Sequence, residues 1–236
     1  MSEPTTPPIP ATSEPPATPP TSATPRRDSL RKLVEPLARK MADAGLTPNM
    51  LTLIGFGIAG VGALMAAVEW WLLAGIVATT GSAFDMFDGA VARVTGTTSK
   101  LGAFMDSTFD RWGEAVVYLG IVIGCTRAGF DVGAWLAAAA MGSAFMVSYA
   151  RARAESLGYA PGKGMAAVGL APREVRVVIL GLGLVGAGLF GGVGGTSTGG
   201  NILALALGLI VLLATLTVIQ RILFVVKQSD AEVDRT

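Results

Sequence analysis

Residues 177–220 read VVILGLGLVGAGLFGGVGGTSTGGNILALALGLIVLLATLTVIQ, a stretch of 44 residues without a charged side chain. A glycine-rich segment at 191–201 (GGVGGTSTGGN), with six glycines, divides it into two apolar runs. Each run is close to the ~20 residues that an α-helix needs to cross ~30 Å of hydrocarbon. The sequence therefore predicts two membrane-spanning helices here, joined by a short external loop.

Similar apolar runs recur along the rest of the chain, at residues 51–68, 70–84, 115–126 and 132–150. Only 15% of the 236 residues are charged and the mean hydropathy is +0.57, whereas a soluble domain carries about 25% charged residues. We therefore predict an all-α integral membrane protein with six transmembrane helices, preceded by an interfacial helix. The predicted spans are 49–68, 70–95, 101–127, 132–156, 172–191 and 201–226.

The two ends of the chain differ from this membrane domain, which we place at residues 28–226. Nine of the 13 prolines fall within residues 1–25, so residues 1–27 are predicted to be a disordered Pro/Thr-rich tail, and 227–236 a C-terminal tail. Residues 28–44 predict an amphipathic helix that lies in the membrane interface. Its apolar stripe consists of Leu30, Leu33, Val34, Leu37 and Met41.

The distribution of cations predicts the orientation of the chain in a cell membrane. Six spans place both termini on one side, and assigning that side to the cytoplasm leaves Arg127 as the one external residue among 18 Lys and Arg. The chain segment that joins the second and third spans then lies on the cytoplasmic side. These cations are balanced by 17 Asp and Glu, so no strongly basic field indicates a nucleic-acid partner.

Several kinds of catalytic site are excluded by residues that the chain lacks. It has no histidine, which excludes Ser-His and Cys-His catalysis and any His-ligated zinc or haem. Cys125 is the one cysteine, so neither an intrachain disulfide nor a thiolate cluster can form. A bound metal must therefore have oxygen ligands, which favour Mg²⁺, Mn²⁺ or Ca²⁺.

Four aspartates lie at the predicted cytoplasmic ends of the second and third spans, where ionised side chains are costly and indicate function. Asp85 and Asp88 are three residues apart, and Asp106 and Asp110 are four apart, so each pair shares a helix face. The short loop 96–101 predicts antiparallel neighbouring helices whose acidic faces meet across one cavity. Two divalent ions ~3.5–4 Å apart would balance this charge and serve phosphoryl transfer.

Three further residues of this segment suit a phosphate-bearing ligand. Gly89 and Gly102 let a ligand approach the backbone, although a glycine on a membrane helix is equally often a packing position. Arg93 can bind phosphate oxygens through two hydrogen bonds.

The spacing D-x2-D-G-x2-A-R-x8-G-x3-D-x3-D resembles the signature of the CDP-alcohol phosphotransferase family. The matching residues are Asp85, Asp88, Gly89, Ala92, Arg93, Gly102, Asp106 and Asp110. The stretch Leu46–Thr52 (LTPNMLT) and the six-span layout are also similar to this family, and the resemblance covers residues 28–226.

The resemblance implies a reaction and a set of roles. An acceptor hydroxyl would attack the β-phosphate of CDP-diacylglycerol, releasing CMP. Asp85 and Asp106 would contact both Mg²⁺ ions, for which Mn²⁺ is an alternative. Asp88 would contact one ion and Asp110 the other, and Asp110 would be the catalytic base. The CDP-diacylglycerol contacts would be Pro48, Asn49, Thr52, Gly89, Arg93, Ser99 and Gly102. The family also implies a homodimer.

A second basic group indicates the acceptor. Arg151, Arg153, Arg173 and Arg176 lie at the predicted cytoplasmic ends of the fourth and fifth spans and would bind the phosphate of a small phosphorylated alcohol. Cations that merely flank spans on the cytoplasmic side are the alternative. The motifs around Asp106 and Tyr149 look most like the prokaryotic phosphatidylinositol-phosphate synthase branch, which implies inositol phosphate as acceptor.

Two alternatives stay open at the level of sequence. Glycerol-3-phosphate would make the chain a phosphatidylglycerophosphate synthase. A divalent-cation transporter would also use carboxylates within the membrane. A transporter should carry acidic residues deep in several spans, whereas the first, fourth, fifth and sixth predicted spans have no central acid.

Overall fold

The computed structural model describes residues 25–159, 168–194 and 197–233, without the side chains of 25–33, Ala83, Asp85, Met86, Glu232 and Val233. Within these residues the secondary structure is α-helical, as predicted. The helices are α1 (Pro25–Asp43), α2 (Pro48–Ala67), α3 (Trp71–Thr95), α4 (Lys100–Arg127), α5 (Asp131–Ser156), α6 (Arg173–Leu189) and α7 (Thr198–Val233).

Local sequence signals fix the helix ends near the signature. Thr47 caps α2 by accepting a hydrogen bond from the Met50 amide at 3.3 Å, and Pro48 occupies the first turn, where its missing N–H costs nothing. Gly96 ends α3 in the left-handed conformation (φ 66°). Ser99 then caps α4 by accepting from the Gly102 amide at 2.9 Å. The two halves of the signature are therefore joined by a loop of four residues.

Six of the helices form a closed ring in the order α2, α3, α6, α7, α5, α4 and back to α2. Small residues let the helices approach closely. On the α4 face that packs on α2, a Cβ at Gly120 or Gly124 would overlap the carbonyl oxygen of Ala63 or Ala66. Both α3 and α4 pack extensively on α2 and hardly on each other, which corrects the expectation that they pack directly as neighbours.

Three of the helices are long and apolar enough to cross a membrane: Pro48–Ala67, Asp131–Ser156 and Thr198–Ala231. They mark the chain as a membrane protein. The signature acids at the ends of α3 and α4 lower the apolar character of those helices, and α6 has only 17 residues. The glycine-rich segment does break the apolar stretch, because α6 ends at Leu189 and α7 begins at Thr198.

The flanking segments differ in extent from the prediction. Helix α1 begins at Pro25, inside the predicted tail, whose residues 1–24 lie outside the described part of the chain. Part of the α1 stripe faces protein rather than lipid, since Val34, Ala38 and Met41 pack with Ala90 and Val91 of α3. Helix α7 continues to Val233, seven residues beyond the predicted end of the last span.

Close helix packing makes a first prediction. Replacing Gly124 by Ala should lower the thermal midpoint of the detergent-solubilised protein by about 2–10 °C, since overpacking costs ~1–3 kcal/mol. The midpoint is the temperature at which half of the protein no longer stays monodisperse after heating. The matched control is Gly142→Ala on α5, where a Cβ would meet no atom within 4 Å. Equal midpoints for the two variants would contradict the packing role of Gly124.

Candidate active site

Six of the eight signature residues line a cavity of about 410 Å³ between the start of α2, the end of α3 and the start of α4: Asp88, Gly89, Ala92, Arg93, Gly102 and Asp106. Seven lining residues are those predicted to contact CDP-diacylglycerol: Pro48, Asn49, Thr52, Gly89, Arg93, Ser99 and Gly102. Asp88 and Asp106 line the same cavity. The structure therefore brings together residues that lie as many as 58 positions apart in the chain.

The floor of this cavity is held by a hydrogen bond between α2 and α3. The Thr52 hydroxyl donates to Asp88 Oδ2 at 2.8 Å, and Asp88 is only 5% exposed. The same hydroxyl lies 3.2 Å from the Pro48 carbonyl oxygen. A hydrogen bond between a neutral donor and a carboxylate is stronger than one between neutral groups, so it fixes the orientation of the Asp88 side chain.

The two signature glycines differ from the packing glycines of α4. A Cβ at Gly102 would lie 3.1 Å from Ser99 Oγ and 3.8 Å from Asn49 Oδ1, and one at Gly89 would lie 3.2 Å from Arg93 Nη1. These neighbours are polar side-chain atoms of the cavity lining rather than the backbone of another helix. Both glycines therefore leave room beside polar groups, which favours ligand approach over helix packing.

Asp110 lies apart from the larger cavity and lines a much smaller adjoining one, of about 30 Å³, together with Thr52 and Arg173. Its Oδ1 is 3.0 Å from Arg173 Nη1 on α6, and its Oδ2 is 3.4 Å from Nη1 of Arg111. Thr52 borders both cavities, so the predicted base stands next to the predicted donor site.

Carboxylates dominate the chemistry of the site. Asp88 and Asp106 offer hard oxygen ligands to the larger cavity, which suits Mg²⁺ or Mn²⁺. The side chain of Asp85 is outside the description, although its backbone lies in α3 three residues before Asp88. Among the side chains that are described, no three acidic, histidine or cysteine residues are close enough together to hold an ion.

The four arginines predicted to bind the acceptor occupy different environments. Arg173 lies beside Asp110 in the smaller cavity. Arg151 pairs with Glu155 of its own helix at 2.9 Å, with both side chains 44% exposed. Arg153, two residues further along α5, is exposed.

Arg176 is engaged with protein groups in the interior. Its Nε and Nη2 donate to the two carboxylate oxygens of Glu114 at 2.8 and 2.7 Å, and its Nη1 donates to the Ala171 carbonyl at 2.9 Å. The residue is 1% exposed. This geometry gives Arg176 a structural contact between α6 and α4.

Sequence reasoning did not assign three residues that shape this region. Glu114 follows Asp110 by four positions, so helical spacing alone places it on the same face. Arg111 donates to the Ser148 hydroxyl on α5 at 3.0 Å. Arg221 is 5% exposed and sits within the predicted sixth span, and a charged residue inside a span is the signal that could have identified it.

The larger cavity combines two aspartates with an arginine and two glycines, and it lies at the start of α2, a helix long and apolar enough to cross a membrane. Fold and site together define a helical membrane protein with an acidic site. Residues 45–227 match the family described as CDP-alcohol phosphatidyltransferase. The chain belongs to this family, which confirms the family and the enzyme class predicted from the signature.

Two relatives within this family have names that specify an inositol phosphate synthase. The chain is 36% identical over 200 residues to the archaetidylinositol phosphate synthase of Pyrococcus horikoshii, covering 83% of this chain and 92% of the relative. It is 32% identical over 167 residues to the phosphatidylinositol phosphate synthase of Corynebacterium glutamicum, covering 69% of this chain and 74% of the relative.

Solved structures show the same fold. The phosphatidylinositol phosphate synthase of Mycobacterium tuberculosis with CDP-DAG bound superposes with a TM-score of 0.70 at 26% identity, over 82% of this chain and 94% of that chain. The same enzyme in complex with manganese and citrate gives a TM-score of 0.68 at 26% identity, over 81% and 88% of the two chains.

The buried Glu114–Arg176 pair makes a second prediction. Arg176→Met should destabilise the protein by ~3–5 kcal/mol, because it leaves Glu114 buried without its cation. The double variant Glu114→Leu/Arg176→Met should recover part of that loss, because neither charge remains. Thermal midpoints in detergent measure both effects. Arg39→Ala is the control, because its pair with Glu35 has side chains 65% and 47% exposed. A double variant no better than Arg176→Met would contradict the pairing.

Proposed function

We propose that this protein transfers the phosphatidyl group of CDP-diacylglycerol to a hydroxyl of inositol phosphate and releases CMP. The observation that carries the proposal is the meeting of six signature residues at one cavity, with Asp110 and Arg173 at the adjoining one. The relatives from Pyrococcus and Corynebacterium, whose names are those of inositol phosphate synthases, support the acceptor.

The donor occupies the larger cavity. Gly89 and Gly102 leave space for the diphosphate, Arg93 binds its oxygens, and Ser99 contacts the same part of the nucleotide. Pro48, Asn49 and Thr52, at the start of α2, line the cytidine side. A relative of the same fold binds CDP-DAG, which supports this placement.

The proposed catalytic step moves one proton and exchanges one P–O bond. Asp110 accepts the proton of the acceptor hydroxyl. The oxygen forms a bond to the β-phosphorus, which bears diacylglycerol, and the bond from that phosphorus to the oxygen bridging to CMP breaks. CMP leaves with both electrons of that bond. Arg111 and Arg173 hold the Asp110 carboxylate from two sides.

Asp85, Asp88, Asp106 and Asp110 would hold two Mg²⁺ ions, with Mn²⁺ as the alternative. The oxygen donors of Asp88 and Asp106 fit such ions, and Thr52 fixes one of these carboxylates. When bound, the ions would stabilise negative charge on the phosphate oxygens. The related structure in complex with manganese supports the use of a divalent metal.

Arg173 is the residue best placed for the acceptor phosphate, because it lies 3.0 Å from the proposed base. Arg151 and Arg153 would attract the anion at the mouth of the site, and Arg176 would act beneath Arg173 through its pair with Glu114. Glycerol-3-phosphate carries the same phosphate and is the second candidate acceptor. A divalent-cation transporter would release no CMP, so CMP release discriminates this alternative.

The remaining proposals concern the cellular setting. Six spans would place both termini and the active site on the cytoplasmic face of a cell membrane, with residues 1–27 and 227–236 as tails around the domain 28–226. Helix α1 would lie at the interface, touching lipid with the exposed Leu37 while Val34 and Met41 face α3. A homodimer is proposed from the family.

The metal site yields a third prediction. Asp88→Asn and Asp106→Asn should each lower CMP release by about 100-fold or more, since a lost ligand removes several kcal/mol of charge stabilisation. EDTA should abolish activity, and Mg²⁺ or Mn²⁺ should restore it. Asp131→Asn, at the start of α5, is the control and should stay near wild type. Full turnover in a metal-free preparation would refute the mechanism.

The acceptor site yields a fourth prediction. Arg173→Ala should raise the acceptor KM by about 10- to 100-fold, because the variant loses a hydrogen bond to a charged phosphate. The CDP-diacylglycerol KM should change little. Arg127→Ala is the control, since Arg127 lies at the opposite end of α4. Initial rates with inositol phosphate, inositol and glycerol-3-phosphate identify the acceptor. An equal rise in the KM values of both substrates would contradict this role and make Arg173 a residue that only supports the fold.

A further inference from the structure

One buried hydroxyl on α7 holds the chain segment that leads into α6. Thr217 Oγ1 accepts hydrogen bonds from the amides of Leu170 and Ala171, both at 3.0 Å, and donates to the Leu213 carbonyl at 2.8 Å. Thr217 and Ala171 are both 0% exposed. All three hydrogen-bonding positions of this hydroxyl are therefore occupied, and two of them secure the segment 168–172.

Arg221 secures the same segment one helical turn further along α7. Its Nε donates to the Val168 carbonyl at 3.1 Å, and its Nη1 donates to the Val147 carbonyl on α5. With Arg221 only 5% exposed, the guanidinium joins α5, α7 and the segment in the interior. We call Thr217 and Arg221 the α7 clasp.

The clasp acts two residues before Arg173. The Ala171 amide binds Thr217, and the Ala171 carbonyl accepts from Arg176 Nη1 at 2.9 Å. Both backbone groups of Ala171 are thus fixed. Pro172, with its ring-restricted backbone, is the N-cap residue of α6, and Arg173 follows as the first helical residue. A shift of the clasped backbone would therefore be transmitted to the Arg173 guanidinium.

We propose that Thr217 and Arg221 are positioning residues of the transferase reaction: they fix the segment 168–172 so that Arg173 stands against Asp110. The proposal rests on the proposed function, in which Arg173 binds the acceptor phosphate. Neither clasp residue lines the larger or the smaller cavity. Their effect on catalysis passes through Arg173, so it falls on the acceptor and spares the donor site formed by α2, α3 and α4.

The test uses the full-length protein in lipid–detergent micelles and three variants of α7. Thr217→Val keeps the side-chain shape and removes the hydroxyl, whereas Thr217→Ser keeps the hydroxyl. Thr215→Val is the matched control, because Thr215 is exposed on the same helix. Steady-state kinetics use inositol phosphate and CDP-diacylglycerol, and hydrogen exchange follows the amides of residues 168–171.

We expect Thr217→Val to raise the acceptor KM by about 5- to 10-fold, with the CDP-diacylglycerol KM changed less than about twofold. Exchange of the Leu170 and Ala171 amides should accelerate. Thr217→Ser and Thr215→Val should match wild type in both measurements. In an Arg173→Ala background, Thr217→Val should not raise the acceptor KM further, since the arginine that Thr217 positions is absent.

Three outcomes would overturn the proposal. The first is unchanged amide exchange in Thr217→Val, and the second is an equal rise in both KM values. The third concerns the double variant: Arg173→Ala raises the acceptor KM, and adding Thr217→Val raises it further by as much as it does in the wild-type background. An Arg173→Ala protein with a wild-type acceptor KM would instead refute the proposed acceptor role. If Thr217→Val does not insert into the membrane, Arg221→Lys replaces it and is measured alone and together with Arg173→Ala.

Discussion

Two ion pairs between α4 and α6 cross the helix ring, and the arrangement of the site depends on them. The ring order places these two helices opposite each other, with α2 and α3 on one side and α5 and α7 on the other. Asp110 meets Arg173 at 3.0 Å, and one turn further in Glu114 meets Arg176 at 2.7 Å. The inner pair is almost fully buried, so its separation would be costly.

These charged side chains can lie inside an apolar ring because they form ion pairs with one another or hydrogen bonds with backbone carbonyls. Arg176 uses its donors on Glu114 and on a backbone carbonyl, and Arg221 uses its own on two carbonyls. Elsewhere the ring is closed by alanine and glycine, as where Gly120 and Gly124 of α4 meet α2. The small residues bring neighbouring helices together, and the polar groups link α4 to α6 across the ring.

The meeting of the signature residues at the larger cavity was predictable from sequence because most of these residues are close in the chain and follow helical spacing. The loop between Gly96 and Ser99 joins α3 to α4, and the Thr47 cap places the start of α2 beside them. Sequence did not reveal that α2 separates α3 from α4. It also could not tell that α1 turns Val34 and Met41 toward α3, since an apolar stripe suits protein and lipid equally.

The acceptor side was harder to predict because it is built from contacts between distant parts of the chain. Arg173 and Arg176 are three residues apart on α6, yet one lines a cavity and the other is buried in an ion pair. The difference goes with contacts from distant elements: Glu114 on α4 binds Arg176, 62 residues away, and Thr217 on α7 binds the Ala171 amide, 46 residues away. A local signature therefore predicted the residues of the larger cavity. The environments of Arg173 and Arg176 depend on contacts between residues far apart in the chain, which neither spacing nor a local motif reveals.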